Sequence, residues 1–324
     1  MGKRAASLSL DLDNKWSYMK NNGSDNWNEF QSYLDIFVPY VLELLKELDL
    51  KLTFFVVGQD AEFEKNHKYL KMIADEGHEI GNHSFKHETF LHLYTKEELQ
   101  VEIEKAHTAI KKVTGRDCKG FRGPGFTWSQ ELFEVLEEKG YCYDSSTFPT
   151  IIGPLARMYY FKTSKLTDEQ KKERKELFGK LSDGFMKLRP YFWTLKNNRR
   201  LYEVPVTTMP LFRLPIHMTY LVYLSAISEQ LAFFYLKCAI YLCKLTRTSP
   251  HFLIHPTDLL GGDMVSGMEF FPGMQIAGHK KAAFFKKVIG IFSRHFTLVS
   301  MDGFVNGILK TNKKEVNINS KPIL

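Results

Sequence analysis

With 324 residues, 44% of them hydrophobic and 14% aromatic, the chain has material for a sizeable core in one large domain or two small ones. The net charge is +7, yet no nucleic-acid-binding motif accompanies it, and there is no internal repeat or low-complexity linker. Four cysteines (Cys118, Cys142, Cys238, Cys243) contain no close C-x-x-C pair, so they read as reduced core residues rather than a disulfide framework.

Met1-Gly2-Lys3-Arg4 is basic, but the stretch behind it is too short and too polar for a secretory h-region, and the expected compartment is the cytoplasm. Ala5 to Asp13 reads as a short apolar strand ending in acids. Asp11 and Asp13 stand two apart on an extended chain, so both carboxylates leave one face. Glu29 to Leu48 carries apolar residues at helical spacing, Lys51 to Val57 is a strand, and Asp60 to Glu76 is a helix stopped by Gly77. His78 to Asn82 is the next strand, expected to open into the first turn of a helix. His83 and His87, four apart, would then lie on one helical face, where two imidazoles can bind a divalent ion if a third ligand comes from elsewhere.

Thr95-Lys96-Glu97-Glu98 is a capping box opening a helix to about Val113. Cys118 to Arg122 is a strand, Thr127 to Gln130 caps a helix ending at Gly140, and Tyr141 to Tyr143 is another strand. This alternation signals parallel strand–helix–strand units. In such folds reactive residues gather at the carboxyl ends of strands, where Asp11, Asp13, His83, Arg122, Asp144 and His255 all fall.

Beyond Pro154 the character changes. Residues 157–200 hold 13 Lys and Arg against 5 Asp and Glu, a surplus of eight on a chain of +7. Aromatic residues are interleaved with them, which suits an anionic membrane surface or a phosphorylated ligand as well as a solvated helical insertion. A long apolar stretch, Thr219 to Leu245, is interrupted by Ser228-Glu229-Gln230 and Lys237. A membrane crossing there would separate His255 from Asp13, so it reads as a helix covering the strand–helix core or lying in the interface. His251 to His255 is the last motif-bearing strand, followed by a glycine-rich loop, a helix to His295 and a strand from Phe296 to Met301. The expected organisation is one domain over 1–312, with an insertion at about 155–200, an apolar helix at about 219–245 and a polar tail at 313–324.

Asp11-Leu12-Asp13, His83-Ser84-Phe85-Lys86-His87, Arg122-Gly123-Pro124 and Leu253-Ile254-His255, in that order, resemble the motifs of polysaccharide deacetylases of the NodB-homology type, carbohydrate esterase family 4. The resemblance implies a distorted (β/α)7 barrel. It implies Asp13, His83 and His87 as ligands of a divalent metal, zinc by default, with cobalt, nickel or manganese also accommodated. Asp11 would be the base, Arg122 its partner, His255 the acid, and a backbone N–H near Phe126 an oxyanion donor. Asp144, with Ser145 beside it, would orient the acid or touch substrate. The implied activity is removal of an N-acyl group, in the first place N-acetyl, from an amino sugar of an envelope glycan; the expected cytoplasmic compartment and the basic aromatic insertion turn this toward a lipid-linked precursor at the inner membrane face. A soluble nucleotide sugar, a small cyclic amide, or a catalytically inactive glycan-binding barrel are the alternatives. The sequence departs from the family in the Leu12 between the acids and in the Gly-Phe that follows Pro124.

Overall fold

The computed structural model describes residues 2–175 and 177–312; the expected tail at 313–324 lies outside them. β1 (Arg4–Leu12) leads through α1 (Lys15–Asn22) and α2 (Leu34–Glu47) to β2 (Thr53–Val56). α3 (Gly58–Glu62) and α4 (Glu64–Asp75) precede β3 (Glu79–Asn82), and α5 (Lys96–Thr114) precedes β4 (Gly120–Phe121). α6 (Gln130–Glu138) then leads to β5 (Tyr143–Asp144). α7 (Gly153–Thr163), α8 (Asp168–Glu173) and β6 (Tyr191–Thr194) form the inserted region before β7 (Arg200–Glu203). α9 (Met218–Ile227) and α10 (Glu229–Leu245) precede β8 (His251–Ile254), and α11 (Gly278–His295), β9 (Phe296–Val299) and α12 (Met301–Asn312) follow.

The strands run in the order β6-β7-β5-β4-β3-β2-β1-β8, and every pairing is parallel except β6 with β7. β9 lies beside the first residues of β1, Arg4 to Ser7, while β2 takes Ser9 to Leu12. Past β7, the Thr207 N–H reaches the His251 carbonyl at 3.2 Å, and the His251 N–H reaches Thr207 Oγ1 at 2.8 Å. Those bonds join the two ends of the parallel sheet, so β1–β5, β7 and β8 form a distorted (β/α)7 barrel.

Alternation along β1 shows what fills it. Leu8, Leu10 and Leu12 are buried in the main apolar cluster with residues of α2 such as Phe37 and Val41. Ser7, Ser9 and Asp11 point the other way and are equally buried, Ser7 bonded to His251 and both Ser9 and Asp11 to Arg122. A parallel barrel covers both faces of its strands, and here the inner face is partly polar. α12 adds Met301 and Phe304 to an inner cluster with Phe55, Tyr143 and Tyr202.

Several expectations are corrected. The stretch Thr219 to Leu245 is two helices, because Ser228 is extended (φ −162°) and its hydroxyl caps α10 at the Leu231 N–H. No helix among the described residues is long and apolar enough to cross a membrane. The insertion is not purely helical. Tyr191 to Thr194 pairs antiparallel with β7, and Trp193 stacks on Phe133 at 5.0 Å while donating to Glu203 Oε2 at 3.0 Å. Only Cys118 and Cys243 are core residues; Cys142 is exposed and Cys238 half-buried. The Thr95–Glu98 capping box and the left-handed Gly115 cap of α5 are present as expected.

Candidate metal centre and its acid–base pair

All six residues expected at strand ends are there. Asp11 is the penultimate residue of β1 and Asp13 the first beyond it; His83 follows β3, Arg122 follows β4, Asp144 ends β5 and His255 follows β8. Parallel pairing in register makes these ends neighbours. Asn82 pairs with Phe121, so the residues after them, His83 and Arg122, emerge side by side.

His83 and His87 do not share a helical face. The segment after β3 is a loop in which Ser84 (φ 61°) and His87 (φ 55°) are left-handed. It holds its shape because the buried Glu102 carboxylate of α5 accepts the Phe85 and Lys86 N–H groups at 2.9 and 2.7 Å. Ser84 Oγ accepts the His87 N–H at 3.1 Å, and Phe85 is buried in the core. The turn differs from a helical one, yet it brings the rings to a 5.1 Å centroid separation.

His83 Nδ1 lies 2.7 Å from the Arg122 carbonyl, an acceptor only, so that nitrogen carries the proton and Nε2 presents a lone pair. Nε2 is 3.3 Å from Asp13 Oδ1, and His87 Nε2 is 2.9 Å from the same oxygen. Burial opposes charge on Asp13, but the two imidazoles beside it hold its carboxyl well below the usual range. Three buried ligand atoms lie within 4.8 Å of one another, and among the described residues this is the group of at least three that could hold a metal ion. Electron pairs converging in this way are stable only around a proton or a cation. The donor set, two imidazoles and a carboxylate, fits a divalent transition ion with an open coordination position. The tautomer set by the Arg122 carbonyl is the outer support such a ligand requires. His87 Nδ1 is buried without a hydrogen-bond partner.

Beside this group, Arg122 Nη1 meets Asp11 Oδ1 at 2.6 Å and Ser9 Oγ at 2.9 Å. Its Nε and Nη2 reach the Ser145 carbonyl and hydroxyl at 3.0 and 2.8 Å, and its guanidinium lies over the Phe55 ring at 4.3 Å. The other Asp11 oxygen, Oδ2, faces His255 Nε2 at 3.8 Å. Desolvation works against charge on His255, but Asp258, then Asp11 and Asp13, outweigh it and push its pKa up to about 9. Asp258 Oδ2 accepts the His255 N–H at 2.8 Å and lies 3.8 Å from its Nδ1, which also meets Thr219 Oγ1 at 3.2 Å.

Asp258 was not singled out from the sequence. The signal was present as His-Pro-Thr-Asp, an acid three residues on with proline fixing the turn. Asp144 and Ser145 lie elsewhere. Both are fully buried, Asp144 accepting from Ser146 N–H and Oγ, and Ser145 donating to the Val204 carbonyl while bonded to Arg122. Their polar atoms are taken by protein partners, so neither orients His255; Ser145 positions Arg122, and Asp144 holds Ser146, whose hydroxyl accepts the Gly123 N–H at 2.8 Å. Glu203 lies against Asp144, and burial and that neighbouring carboxylate push its pKa well up. The Phe126 N–H donates to the Gly123 carbonyl at 3.1 Å in a tight turn, and its half-buried ring stacks on Phe148 at 4.5 Å. His217, also missed, is buried 5.9 Å from His255, and burial and the charges of His255 and Arg122 keep it neutral.

The polysaccharide deacetylase family profile matches residues 29–143. A Helicobacter pylori peptidoglycan deacetylase is 33% identical over 112 residues, 35% of this chain and 37% of that protein. A Bacillus subtilis peptidoglycan-N-acetylmuramic acid deacetylase is 35% identical over 111 residues, 34% and 41% of the two chains. The chain thus spans well under half the length of these two relatives. Among solved structures, an inferred polysaccharide deacetylase from Mycobacterium smegmatis superposes with a TM-score of 0.60 at 18% identity, covering 100% of this chain and 96% of that one. Over residues 29–143 the chain is similar to the polysaccharide deacetylases, and the barrel built around that segment has the fold of the Mycobacterium smegmatis structure.

Proposed function

We propose that the chain is a metal-dependent hydrolase that removes an N-acyl group, in the first place N-acetyl, from an amino sugar of a cell-envelope glycan or its lipid-linked precursor. One observation carries the reading: an Asp13/His83/His87 acceptor set lies beside a carboxylate and an imidazole of opposite charge, at one end of a barrel. Asp13, His83 and His87 would hold the ion, which when bound lowers the pKa of its water and polarises the substrate carbonyl. The chain's own residues do the rest. Arg122 fixes one oxygen of Asp11, leaving the carboxylate placed to take the proton of the attacking water. His255, charged at neutral pH, gives its proton to the departing nitrogen, which leaves as a neutral amine. The cytoplasmic face of the membrane is the compartment this reading takes.

Acetate release from N-acetylated chito-oligosaccharides, peptidoglycan fragments and UDP-N-acetylglucosamine, by protein of measured zinc content, tests it. Expected is acetate from at least one glycan, about one zinc per chain, and loss of both in His83→Ala/His87→Ala. Asp11→Asn should lose acetate release while keeping the metal. No acetate from any substrate with zinc present would overturn the reading in favour of a binding barrel. Release from the nucleotide sugar alone would move it to soluble substrates.

A further inference from the structure

The inserted region presents apolar side chains to solvent where helices ordinarily present polar ones. On α7 the outward residues are Leu155, Met158 and Tyr159, at i, i+3 and i+4, with exposed Lys162 completing the stripe at i+7. Tyr160 turns inward and donates to the Asn21 carbonyl. Two further apolar tips are tied to the residues that lead into α7. One carries Phe185, and the other carries Leu211 and Phe212 on a turn with left-handed Leu211 (φ 72°) and Arg213 (φ 57°). These six side chains are between 58% and 81% exposed. A left-handed β-unbranched residue in a turn costs free energy, so the turn that holds Leu211 outward is a maintained feature.

The three pieces form one lobe. The Arg213 carbonyl accepts from Thr150 Oγ1 at 2.9 Å and the Ile151 N–H at 3.3 Å, and Arg213 Nη1 donates to the Met186 carbonyl at 2.8 Å. Arg157 Nη1 donates to the carbonyls of Leu177 and Gly179 at 3.0 and 2.9 Å. The lobe adjoins the site, because the Phe178 N–H bonds the Gly125 carbonyl in the loop after Arg122, at 3.3 Å. Most of α7 and the Phe185 tip lie in the segment 157–200 that carries the chain's whole positive surplus, with Lys162, Lys165, Lys187 and Arg189 exposed, while Leu211–Arg213 joins them from beyond β7.

We propose that this lobe docks the protein on an anionic phospholipid surface, its apolar tips entering the headgroup boundary and its lysines and arginines meeting lipid phosphates. It deepens the proposed function, on which it rests for its purpose: a lipid-linked sugar would be met where the site opens. The chemistry selects this occupant. Protein interface cores are depleted in lysine, whereas here exposed Lys162 continues the apolar stripe of α7 and exposed Lys187 stands two residues from Phe185. Aromatic and aliphatic tips set among lysine and arginine are the composition of interfacial anchors.

The test is sedimentation of the full chain with vesicles of phosphatidylcholine alone or mixed with phosphatidylglycerol. Binding is expected to the mixed vesicles and to weaken with salt. Lys162→Gln and Lys187→Gln should each weaken it about fivefold. Leu211→Ser/Phe212→Ser and Phe185→Ser should abolish sedimentation while leaving zinc content and circular dichroism unchanged, since these side chains are exposed. Tryptophan emission from Phe185→Trp should shift to the blue on mixed vesicles. Equal binding by the lobe variants and the wild type would overturn the proposal, as would loss only on substitution of the separate exposed stripe Phe234/Tyr241 of α10. Absent vesicle binding with a change of oligomeric state in the lobe variants would make the lobe a protein interface and equally overturn it. Asp11→Asn should bind vesicles as the wild type does, so failure of the hydrolase reading and failure of the lobe are read separately.

Discussion

Replacing Asp258 with asparagine keeps the shape of the turn after β8 and removes the charge that most favours the His255 imidazolium. The shift of His255 from 6.5 to about 9 corresponds to about 3 kcal/mol of net interaction favouring the charged form. Asp258 supplies the first share of it through contact with the ring and backbone, with Asp11 and Asp13 adding to it. His255 is only 19% exposed, so solvent screens these charges weakly. Losing one adjacent carboxylate lowers a neighbouring imidazole's pKa by roughly 1 to 3, so the variant's His255 should titrate clearly below that of the wild type. Proton–carbon correlation spectra of histidine-labelled protein measure this directly, with His255→Gln identifying the resonance. If His255 is the acid, the alkaline limb of kcat/KM should move down with it. Stability should follow. The folded pKa lies above the unfolded one, so the charged ring stabilises the fold fully below about pH 6.5 and loses that contribution as pH rises to about 9. In Asp258→Asn the loss should be smaller and complete at lower pH. An unchanged His255 titration in the variant would refute the assignment of Asp258 as its partner.

Arg122→Met should lower the free energy of unfolding by about 3–5 kcal/mol, because it strands the buried Asp11 carboxylate without its partner. Urea unfolding measures it, and a loss under 1 kcal/mol would show that Asp11 reaches water. Gly120→Ala should cost about 1–3 kcal/mol, since its new methyl group would strike the Tyr143 ring; an unchanged melting temperature would mean that the β4–β5 junction yields.

Helix caps and strand runs were legible because they are local. Thr95 and Glu98 make a reciprocal cap from side chains three residues apart, and the apolar spacing of α2 needs only its own periodicity. β6 was not legible. Its Tyr-Phe-Trp-Thr becomes a strand because β7 offers an open edge and because Phe133 and Glu203 receive Trp193. The break at Ser228 was visible as Ser-Glu-Gln, but only the helices around it decide that the hydroxyl caps rather than continues the helix.

The site divides in the same way. Residue types and strand ends in the sequence determined which groups gather: two acids after an apolar run, two histidines four apart, an arginine and a late histidine. Parallel strands in register place their ends together whatever the loops do, so that much follows from the strand pattern. What each group does depends on contacts between residues far apart in the chain. The Arg122 carbonyl sets the His83 tautomer from 39 positions away, and Glu102 shapes the His83–His87 loop from α5. Asp144 reads as a candidate for orienting His255, yet packing buries it against Ser146 and Glu203, and Asp258 takes the place beside the ring. A carboxylate's role is set by the charges and donors around it after folding, and these are properties of the packed barrel rather than of any segment.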